Sequence, residues 1–462
     1  MQKKNGYGGP GAAVSFWKER KTSMEQTWTQ RLLGFIEESP TAWHAAENLA
    51  QRLHNAGFRE LLEHESWQLK PGGRYFVRRN GSALIAFCLP EGALWGFQMM
   101  AAHGDSPSFK VKDGKAAVLS GLYTRLSVEK YGGMLCASWL DRPLSLAGRV
   151  TVRTPQGVEA RLVNLKRDLL LIPSVAIHMD RSANEGKRYD PHVDMLPLLG
   201  SEECREDLRP LVAEAVGAGE EDLLSAELLL YPREPGRVWG ARQEYVSAPR
   251  LDDLQCVFAC LEGFLQAKQG EKGKVLCLLD NEEVGSATKQ GADSTFLADT
   301  LARICAAAGL GESESRQALA QSFLVSADNA HAVHPNHPEY ADAVDRPEMN
   351  KGVVIKANAS QKYTTDAVSA AVFSEICRRA GVPTQRYTNR ADLPGGSTLG
   401  NISSAHVSVD TVDIGLAQLA MHAAYETAGV RDTAWLVQAA AAFYETDLHR
   451  DGAGNWLMVG KA

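Results

Sequence analysis

The chain has 462 residues, of which 44% are hydrophobic and 23% are charged, the balance of an ordinary globular protein. This length exceeds what one hydrophobic core usually supports, so we expect at least two domains. With a net charge of -7, the chain lacks the excess of basic residues that nucleic-acid-binding proteins have, which argues against nucleic acid as the main partner. Because no stretch approaches 18 uninterrupted apolar residues, we expect no membrane span either.

The cysteine pattern argues against a thiolate-rich structural zinc site. The eight cysteines are dispersed and form no CxxC pair. The first 13 residues contain basic side chains but lack the apolar core of a signal peptide. We therefore expect a protein of the reducing cytoplasm.

The first hundred residues predict an opening α/β unit. Helical patterns begin at Thr27 and again at 42–58, where Gly57 is the stop signal. Strands are predicted at 74–79 and 82–87, with Asn80 and Gly81 as the hairpin turn. The apolar run 94–102 predicts a buried strand that ends at His103.

The pattern then changes twice along the chain. Residues 109–242 show alternating, turn-punctuated strands and predict an inserted β-rich domain. Beyond residue 243 strands alternate with helices again, which predicts an α/β fold: a largely parallel sheet flanked by helices. The predicted catalytic domain is therefore discontinuous, formed by residues 1–108 and 243–462.

An acidic cluster stands at the end of one buried strand. The apolar run 275–279 ends abruptly in Asp280, Asn281, Glu282 and Glu283. Adjacent carboxylates at a strand end are costly through desolvation and like-charge repulsion unless a positive group receives them. A metal ion is one such group, and a solvated acidic turn is the alternative.

Further metal-ligand side chains follow other predicted elements. His103 and Asp105 follow the strand 94–102, Asp328 follows the strand 322–326, and Asp252 and Asp253 precede a helical stretch. A fifth segment, 416–426, has a helix-like apolar pattern and contains His422. Because open α/β folds gather their chemistry at the carboxyl ends of strands, we expect these side chains to converge.

Two histidines with several carboxylates suit zinc, cobalt, manganese or iron. The number of candidate ligands exceeds the three that hold a single catalytic zinc, which indicates two metal ions with a shared carboxylate. Of two adjacent glutamates, one can bind metal while its neighbour stays free as a general base. The pattern therefore favours a paired-metal hydrolase.

Five ordered segments resemble the motifs of the aspartyl aminopeptidase family of metallopeptidases, M18, in its bacterial branch. They are AAHGDSPSFKVK, SAPRLDDL, LLDNEEVGS, SADNAHAVHPNH and LAQLAMHAAYE. The resemblance runs from about Trp28 to near the C-terminus. It implies the zinc-aminopeptidase fold with an inserted dimerisation domain, and dimers that assemble into a dodecamer.

The resemblance also implies a role for each motif residue. Glu282 would be the general base, and Asp105 would hold the imidazole of His103 in its metal-binding orientation. Asp252 would bridge two zinc ions, although Asp253 stays open as the bridge. The implied zinc ligands are His103, Asp252, Glu283, Asp328 and His422.

Spacing alone suggests a second set of ligands in the tract that contains His331, His334 and His337. The motif register of the family places the ligand at Asp328 instead. In that reading the three histidines are loop groups or lie around the ligands.

Two residues are candidates for substrate binding. Lys356 ends an apolar run, and the resemblance implies that it receives the carboxylate of an N-terminal Asp or Glu; a salt bridge to a nearby acid is the alternative. His178 lies in the predicted insertion, where the family has a histidine that reaches the partner's active site; a packed strand histidine is the alternative. The glycine-containing segment 392–400 could line the substrate pocket together with Lys356, or it could form a simple turn.

The function expected from the sequence is a dizinc aminopeptidase that removes N-terminal residues, with a preference for Asp and Glu. Cobalt or manganese could replace zinc. The expected partners are a peptide with a free N-terminus and further copies of the chain. The alternatives are a related dizinc carboxypeptidase or amidohydrolase, and a non-catalytic assembly or cargo protein on the same scaffold.

Overall fold

The computed structural model describes residues 27–119 and 121–459. The first 13 residues, on which the expectation of a cytoplasmic protein rests, lie outside these ranges. The strands β1 to β22 are Arg59–Leu61, Arg74–Arg79, Ala83–Cys88, Phe97–His103, Ser108–Leu119, Tyr123–Tyr131, Leu144–Thr154, Gly157–Asn164, Leu198–Ser201, Leu223–Pro232, Arg237–Trp239, Tyr245–Ala248, Gly273–Leu279, Phe323–Ala327, Ala330–His331, Val353–Lys356, Thr384–Tyr387, Asp410–Gly415, Ala417–Leu419, Glu426–Gly429, Asp447–Arg450 and Trp456–Val459. The helix over residues 27–38, α1, precedes α2 to α9, which are Ala42–Asn55, Leu208–Val216, Leu251–Gln266, Phe296–Ala307, Glu312–Ala320, Ala367–Ala380, Leu399–Ser403 and Asp432–Glu445.

A nine-stranded sheet forms the centre of the molecule, in the order β1-β2-β3-β13-β4-β14-β18-β16-β17. Its four middle strands β13, β4, β14 and β18 run parallel, while β3 and β16 join them antiparallel. All residues of β13 and β4 are buried, as expected for strands covered on both faces. The predicted α/β fold with a largely parallel sheet is confirmed.

The register of this sheet decides where the candidate ligands meet. Leu279 at the end of β13 lies opposite His103 at the end of β4, and Ser326 of β14 lies opposite Ala101. The three strands therefore end at one edge of the sheet. The acidic turn after Leu279 and the carboxylate after Ala327 emerge beside His103.

Helices cover both faces of the sheet. On one face α4 and α9 pack so closely that a Cβ added at Gly263 would lie 2.4 Å from Cβ of Ala440. On the other face α5 buries Phe296, Leu301 and Ile304 against the sheet. The packed helix α4 fixes the position of the acidic residues at its start.

A second sheet of six strands, β8-β7-β10-β5-β6-β9, is antiparallel and built only from the chain between Ser108 and Ser201 together with β10. It has its own core, which includes Phe109, Trp139 and Leu146. The strands predicted in this part of the chain are confirmed. The division into a catalytic and an inserted dimerisation domain stays a prediction.

The segment 416–426 is not the helix that its apolar pattern suggested. It forms β19, a turn over 420–425 and the start of β20, which pairs with β19 antiparallel. Ala420 and His422 have φ values of 56° and 66°, in the left-handed region that an α-helix excludes. Alanines in a tight turn give the same apolar composition as a helix face, which explains the wrong prediction.

None of the helices among the described residues has both the length and the apolar character needed to cross a bilayer.

Candidate metal centre and active site

His103 and Asp105 stand at the end of β4. His103 is 1% exposed, and its Nδ1 lies 3.1 Å from the carbonyl oxygen of Asp105 and 3.4 Å from the Asp105 carboxylate. These contacts leave Nε2 directed at the neighbouring carboxylates of Asp252 and Asp328, 3.6 and 3.9 Å away. The geometry is that of a ligand imidazole held through its other ring nitrogen.

The acidic turn after β13 is organised by the same Asp105. Its Oδ1 accepts a hydrogen bond from the backbone N–H of Glu282, and its Oδ2 accepts one from the N–H of Glu283, both at 3.1 Å. Asn281 begins this turn with φ of 62°, which asparagine tolerates better than most residues. One carboxylate thereby fixes both the histidine and the two glutamates.

Asp252 lies between the two candidate histidines. Its Oδ1 is 3.6 Å from Nε2 of His103, and its Oδ2 is 3.3 Å from Nε2 of His422. The next residue, Asp253, accepts a hydrogen bond from the backbone N–H of His103 at 3.3 Å. Of the two aspartates, Asp252 is the one with ion-pair contacts to both histidines among the described residues.

His422 reaches the site from the turn between β19 and β20. Its Nε2 is 3.2 Å from Oε2 of Glu283. Glu426 holds the turn: one carboxylate oxygen accepts from the N–H of His422 at 2.7 Å and the other from the N–H of Asp252 at 3.0 Å. Sequence reasoning missed Glu426; an acidic residue four positions after a candidate ligand was the available signal.

Lys356 is buried at the end of β16 beside Asp328. Its Nζ donates to the carbonyl oxygens of Asp328 and Asn329, at 2.8 and 3.2 Å, and lies 3.4 Å from Oδ2 of Asp328. The salt bridge weighed as the alternative for Lys356 is therefore present. Lys356 also lines the cavity described below, so the pairing does not remove it from the site.

Most of the carboxyl groups here have raised pKa values. Burial, with the neighbouring carboxylates Asp328, Asp105 and Asp252, raises the pKa of Glu282 to about 7, although His103 opposes the shift. Burial and the Asp252 carboxylate raise the pKa of Glu283 well above its usual range. In contrast, His103 and His422 hold the pKa of Asp252 low against the effect of burial. Such a cluster of buried carboxyl groups gains stability from a bound cation.

The donor atoms fit a metal ion. Oδ1 of Asp252 and Oε1 of Glu283 are buried without a hydrogen-bond partner among the residues that the structure describes. Three groups of side chains each bring their ligand atoms within 4.8 Å of one another; they are His103 with Asp252 and Asp328, His103 with Glu282 and Glu283, and Asp252 with Glu283 and His422. Imidazole and carboxylate donors at these separations suit zinc.

These groups line one wall of a cavity of about 260 Å³. Ser397 and Thr398 of the segment 392–400 line the cavity as well. This agrees with the first of the two alternatives for that segment, in which it lines a pocket. Tyr363 and Tyr387, which sequence reasoning did not single out, complete the wall next to Lys356. Both tyrosines lie far from the motifs in sequence, so no local signal marked them.

The three histidines of the tract 331–337 are not part of the candidate ligand groups, and one of them lines the cavity. His331 lines the cavity, whereas His334 and His337 are not among its lining residues; Nδ1 of His337 lies 3.0 Å from Glu339. His178 is exposed in a turn of the segment that follows β8, so it is neither in a strand nor packed. The packed-strand alternative for His178 is therefore wrong.

Comparisons with known proteins show the family of this chain. A sequence model described as "Aminopeptidase I zinc metalloprotease (M18)" matches residues 35–444. The chain is 44% identical to the probable M18 family aminopeptidase 2 of Clostridium acetobutylicum over 91% of this chain and 99% of that protein. It is 41% identical to the protein of that description from Pseudomonas aeruginosa, over 91% and 99% of the two chains.

Solved structures show the same architecture. The complex of Ape4 and Nbr1 contains a chain that is similar with a TM-score of 0.88 and 35% identity, over 92% of this chain and 86% of that one. The S. cerevisiae mApe1 dodecamer is similar with a TM-score of 0.80 and 26% identity, over 91% and 97%. The chain belongs to the M18 family of zinc aminopeptidases, which are hydrolases that act on peptide bonds.

Proposed function

We propose that the protein is an aminopeptidase that holds two zinc ions and prefers peptides with an N-terminal Asp or Glu. One observation carries the two-ion part: the carboxylate of Asp252 faces Nε2 of His103 with one oxygen and Nε2 of His422 with the other. His103 and Asp328 would complete one site with Asp252, and Glu283 and His422 the second. The ligand groups overlap in Asp252, as a bridging carboxylate requires.

Zinc in such a site supplies Lewis acidity, which lowers the pKa of a water molecule and polarises a carbonyl group. The chain supplies the remaining functions. Glu282 lines the cavity next to the proposed ligand Glu283, and would accept a proton from the attacking water and pass it to the departing amine. Asp105 fixes the turn of Glu282 through the N–H bonds already described.

The charge distribution of the cavity supports the acidic preference. Burial opposes the positive charge of Lys356, but Asp328 raises the pKa of this side chain above that of an ordinary lysine. Lys356 therefore stays an ammonium ion. Two of its three partners are neutral carbonyl groups, which do not cancel its charge. Because Asp328 is also a proposed zinc ligand, its negative charge would be shared, and Lys356 would leave this wall attractive to a carboxylate.

We also infer a homo-oligomer in the cytoplasm. The mApe1 relative is a dodecamer, and the loop with His178 presents the exposed apolar side chains of Val175, Ile177 and Met179, as an interface would. We propose that His178 reaches a neighbouring copy's active site. All eight cysteines are unpaired, which suits a reducing compartment.

A substrate panel tests this proposal. The zinc-loaded and cobalt-loaded protein would be assayed with the p-nitroanilides of Asp, Glu and Leu and with N-acetylated amino acids. We expect cleavage of the anilides, fastest for Asp and Glu, and none of the N-acetyl compounds. Turnover of the N-acetyl set alone would defeat the aminopeptidase assignment, and equal rates for Asp and Leu would remove the acidic preference.

A further inference from the structure

The hydroxyl group of Tyr131 connects the six-stranded sheet to the candidate active site. Tyr131 is the last residue of β6, and its hydroxyl donates to Oδ2 of Asp105 at 2.7 Å. Nδ2 of Asn281 donates to the hydroxyl oxygen at 2.8 Å. Oδ1 of Asn281 accepts from Thr288 and Gln290, which fixes the orientation of the amide and hence the direction of the Tyr131 proton.

Tyr131 therefore supports the residue that organises the site. The carboxylate of Asp105 accepts three hydrogen bonds, from the N–H groups of Glu282 and Glu283 and from Tyr131. Without the hydroxyl, this carboxylate loses its shortest hydrogen bond, at 2.7 Å, from a donor outside the glutamate turn, and keeps the more distant Nδ1 of His103 at 3.4 Å. Asn281, whose backbone is in the left-handed region, loses a side-chain partner at the same time.

The glycine after Tyr131 brings this chain segment against the glutamate turn. Gly132 has φ of 76°, and a Cβ added there would lie 3.1 Å from Cβ of Glu283. The left-handed conformation and the close approach both favour glycine. The backbone next to Tyr131 thus fits the turn that it supports.

The same segment also contacts the turn that contains His422. The N–H of Leu135 donates to the carbonyl oxygen of His422 at 3.1 Å. The hydroxyl of Ser138 accepts from the N–H of Ala424 at 2.9 Å. Residues 131–138 thereby touch both turns that present proposed ligands of the second zinc site.

We propose that Tyr131 is a positioning residue for peptide hydrolysis, whose hydroxyl holds the Asp105 carboxylate and, through it, His103 and the Glu282–Glu283 turn. This role rests on the proposed function of those residues as base and ligands. Groups that orient metal ligands change metal affinity or activity by about 10- to 100-fold when they are removed. A displaced base lowers the rate of the chemical step more than it lowers substrate binding.

The test is Tyr131→Phe, which keeps the ring and removes one hydroxyl. We expect kcat to fall about 10- to 100-fold and KM to change less than about threefold, and a chelator to remove zinc about tenfold more readily. The matched control is Tyr123→Phe, because Tyr123 lies on the same strand and is 51% exposed. The control should behave as the unmodified protein in all three measurements.

A second variant, made alone and together with Tyr131→Phe, tests the same network from the other partner of the hydroxyl; alone it should also lower kcat and zinc retention. Asn281→Gly permits the left-handed backbone and removes the other partner of the hydroxyl. Because both changes break one network, their effects on kcat should combine to less than the product of the two. If the two reductions in kcat multiply instead, Tyr131 would contribute only to general stability.

The outcomes separate this inference from the proposed function. An active unmodified protein with unchanged kcat and zinc retention in Tyr131→Phe would overturn the positioning role. If the unmodified protein cleaves no peptide substrate, the proposed function fails, and zinc retention in Tyr131→Phe against Tyr123→Phe still decides whether Tyr131 holds the site.

Discussion

At the candidate site Lys356 has two kinds of neighbour, its ion-pair partner Asp328 and the cavity. Its ammonium group contacts Asp328 and the carbonyl oxygen of Asn329, and the residue also lines the cavity of the candidate site. The sequence placed this lysine correctly at a buried strand end. It could not reveal the pairing, because Asp328 is 28 residues away and belongs to a different strand end.

We expect Lys356→Met to lower kcat/KM for Asp-anilide about tenfold more than for Leu-anilide, because the ammonium charge attracts the acidic side chain. A tenfold difference corresponds to about 1.4 kcal/mol. Lys362→Met is the control, since Lys362 is exposed six residues further along. Equal losses on both substrates, with loss of zinc, would restrict Lys356 to its salt bridge with Asp328.

His44 should make stability depend on pH. Burial, followed by the charges of Arg250 and Lys166, lowers its pKa to about 4 from the usual 6.5. Between pH 6.5 and 4 the unfolded chain therefore binds a proton that the folded chain does not, so the free energy of unfolding falls as the pH is lowered. Above pH 6.5 His44 has no such effect.

We expect His44→Gln to reduce this loss between pH 6.5 and 4 by roughly 1–3 kcal/mol. His54→Gln is the control, because His54 lies on the same helix with 45% of its side chain exposed. The measurement is denaturant unfolding at a series of pH values. Parallel pH curves for the His44 variant and the unmodified protein would contradict the expectation.

Among the elements, strand ends and the hairpin turn at Asn80 and Gly81 were predictable, and the turn of His422 was not. The ends of β4, β13 and β14 follow from apolar runs that stop at polar residues, and parallel pairing then brings the ligands together. The turn of His422 depends on left-handed residues and on hydrogen bonds to Glu426, which local periodicity does not encode. The contact of Tyr131 with Asn281 spans 150 residues and has no local signature.

Two helix glycines should respond in opposite ways to alanine. In Gly263→Ala of α4, the new Cβ would lie 2.4 Å from Cβ of Ala440 and 2.9 Å from the backbone nitrogen of Ala441, so α9 must shift. We expect a loss of about 1–3 kcal/mol in the free energy of unfolding. In Gly34→Ala of α1 nothing lies within 4 Å, and we expect a gain of up to about 1 kcal/mol. Thermal unfolding checks both, and a neutral Gly263→Ala would contradict the close packing.

At the scale of the whole molecule, we propose that the loop that contains His178 links assembly and catalysis. Its exposed apolar residues and the dodecamer of a relative support contact between copies. Composition and periodicity of one chain contain no information about such a contact. The resemblance of the motifs was the only route to it from the sequence.

We expect inactive His178→Phe subunits to regain activity when they are mixed and reassembled with inactive Glu282→Gln subunits. In the mixed oligomer, an intact base in one copy would meet an intact histidine from another. His192→Phe, an exposed histidine of the same segment, is the control and should stay active alone. Mixtures as inactive as their components, with assembly confirmed by light scattering, would confine His178 to its own subunit or to structure.

The central claim is that Glu282 is the base and Glu283 a ligand at a site for two zinc ions. The direct measurement is zinc content together with kcat for Glu282→Gln and Glu283→Gln. We predict two zinc ions per chain in Glu282→Gln with kcat reduced by about 10²- to 10⁴-fold, and loss of zinc in Glu283→Gln. Zinc loss in Glu282→Gln, or undiminished turnover with zinc retained, would contradict the account.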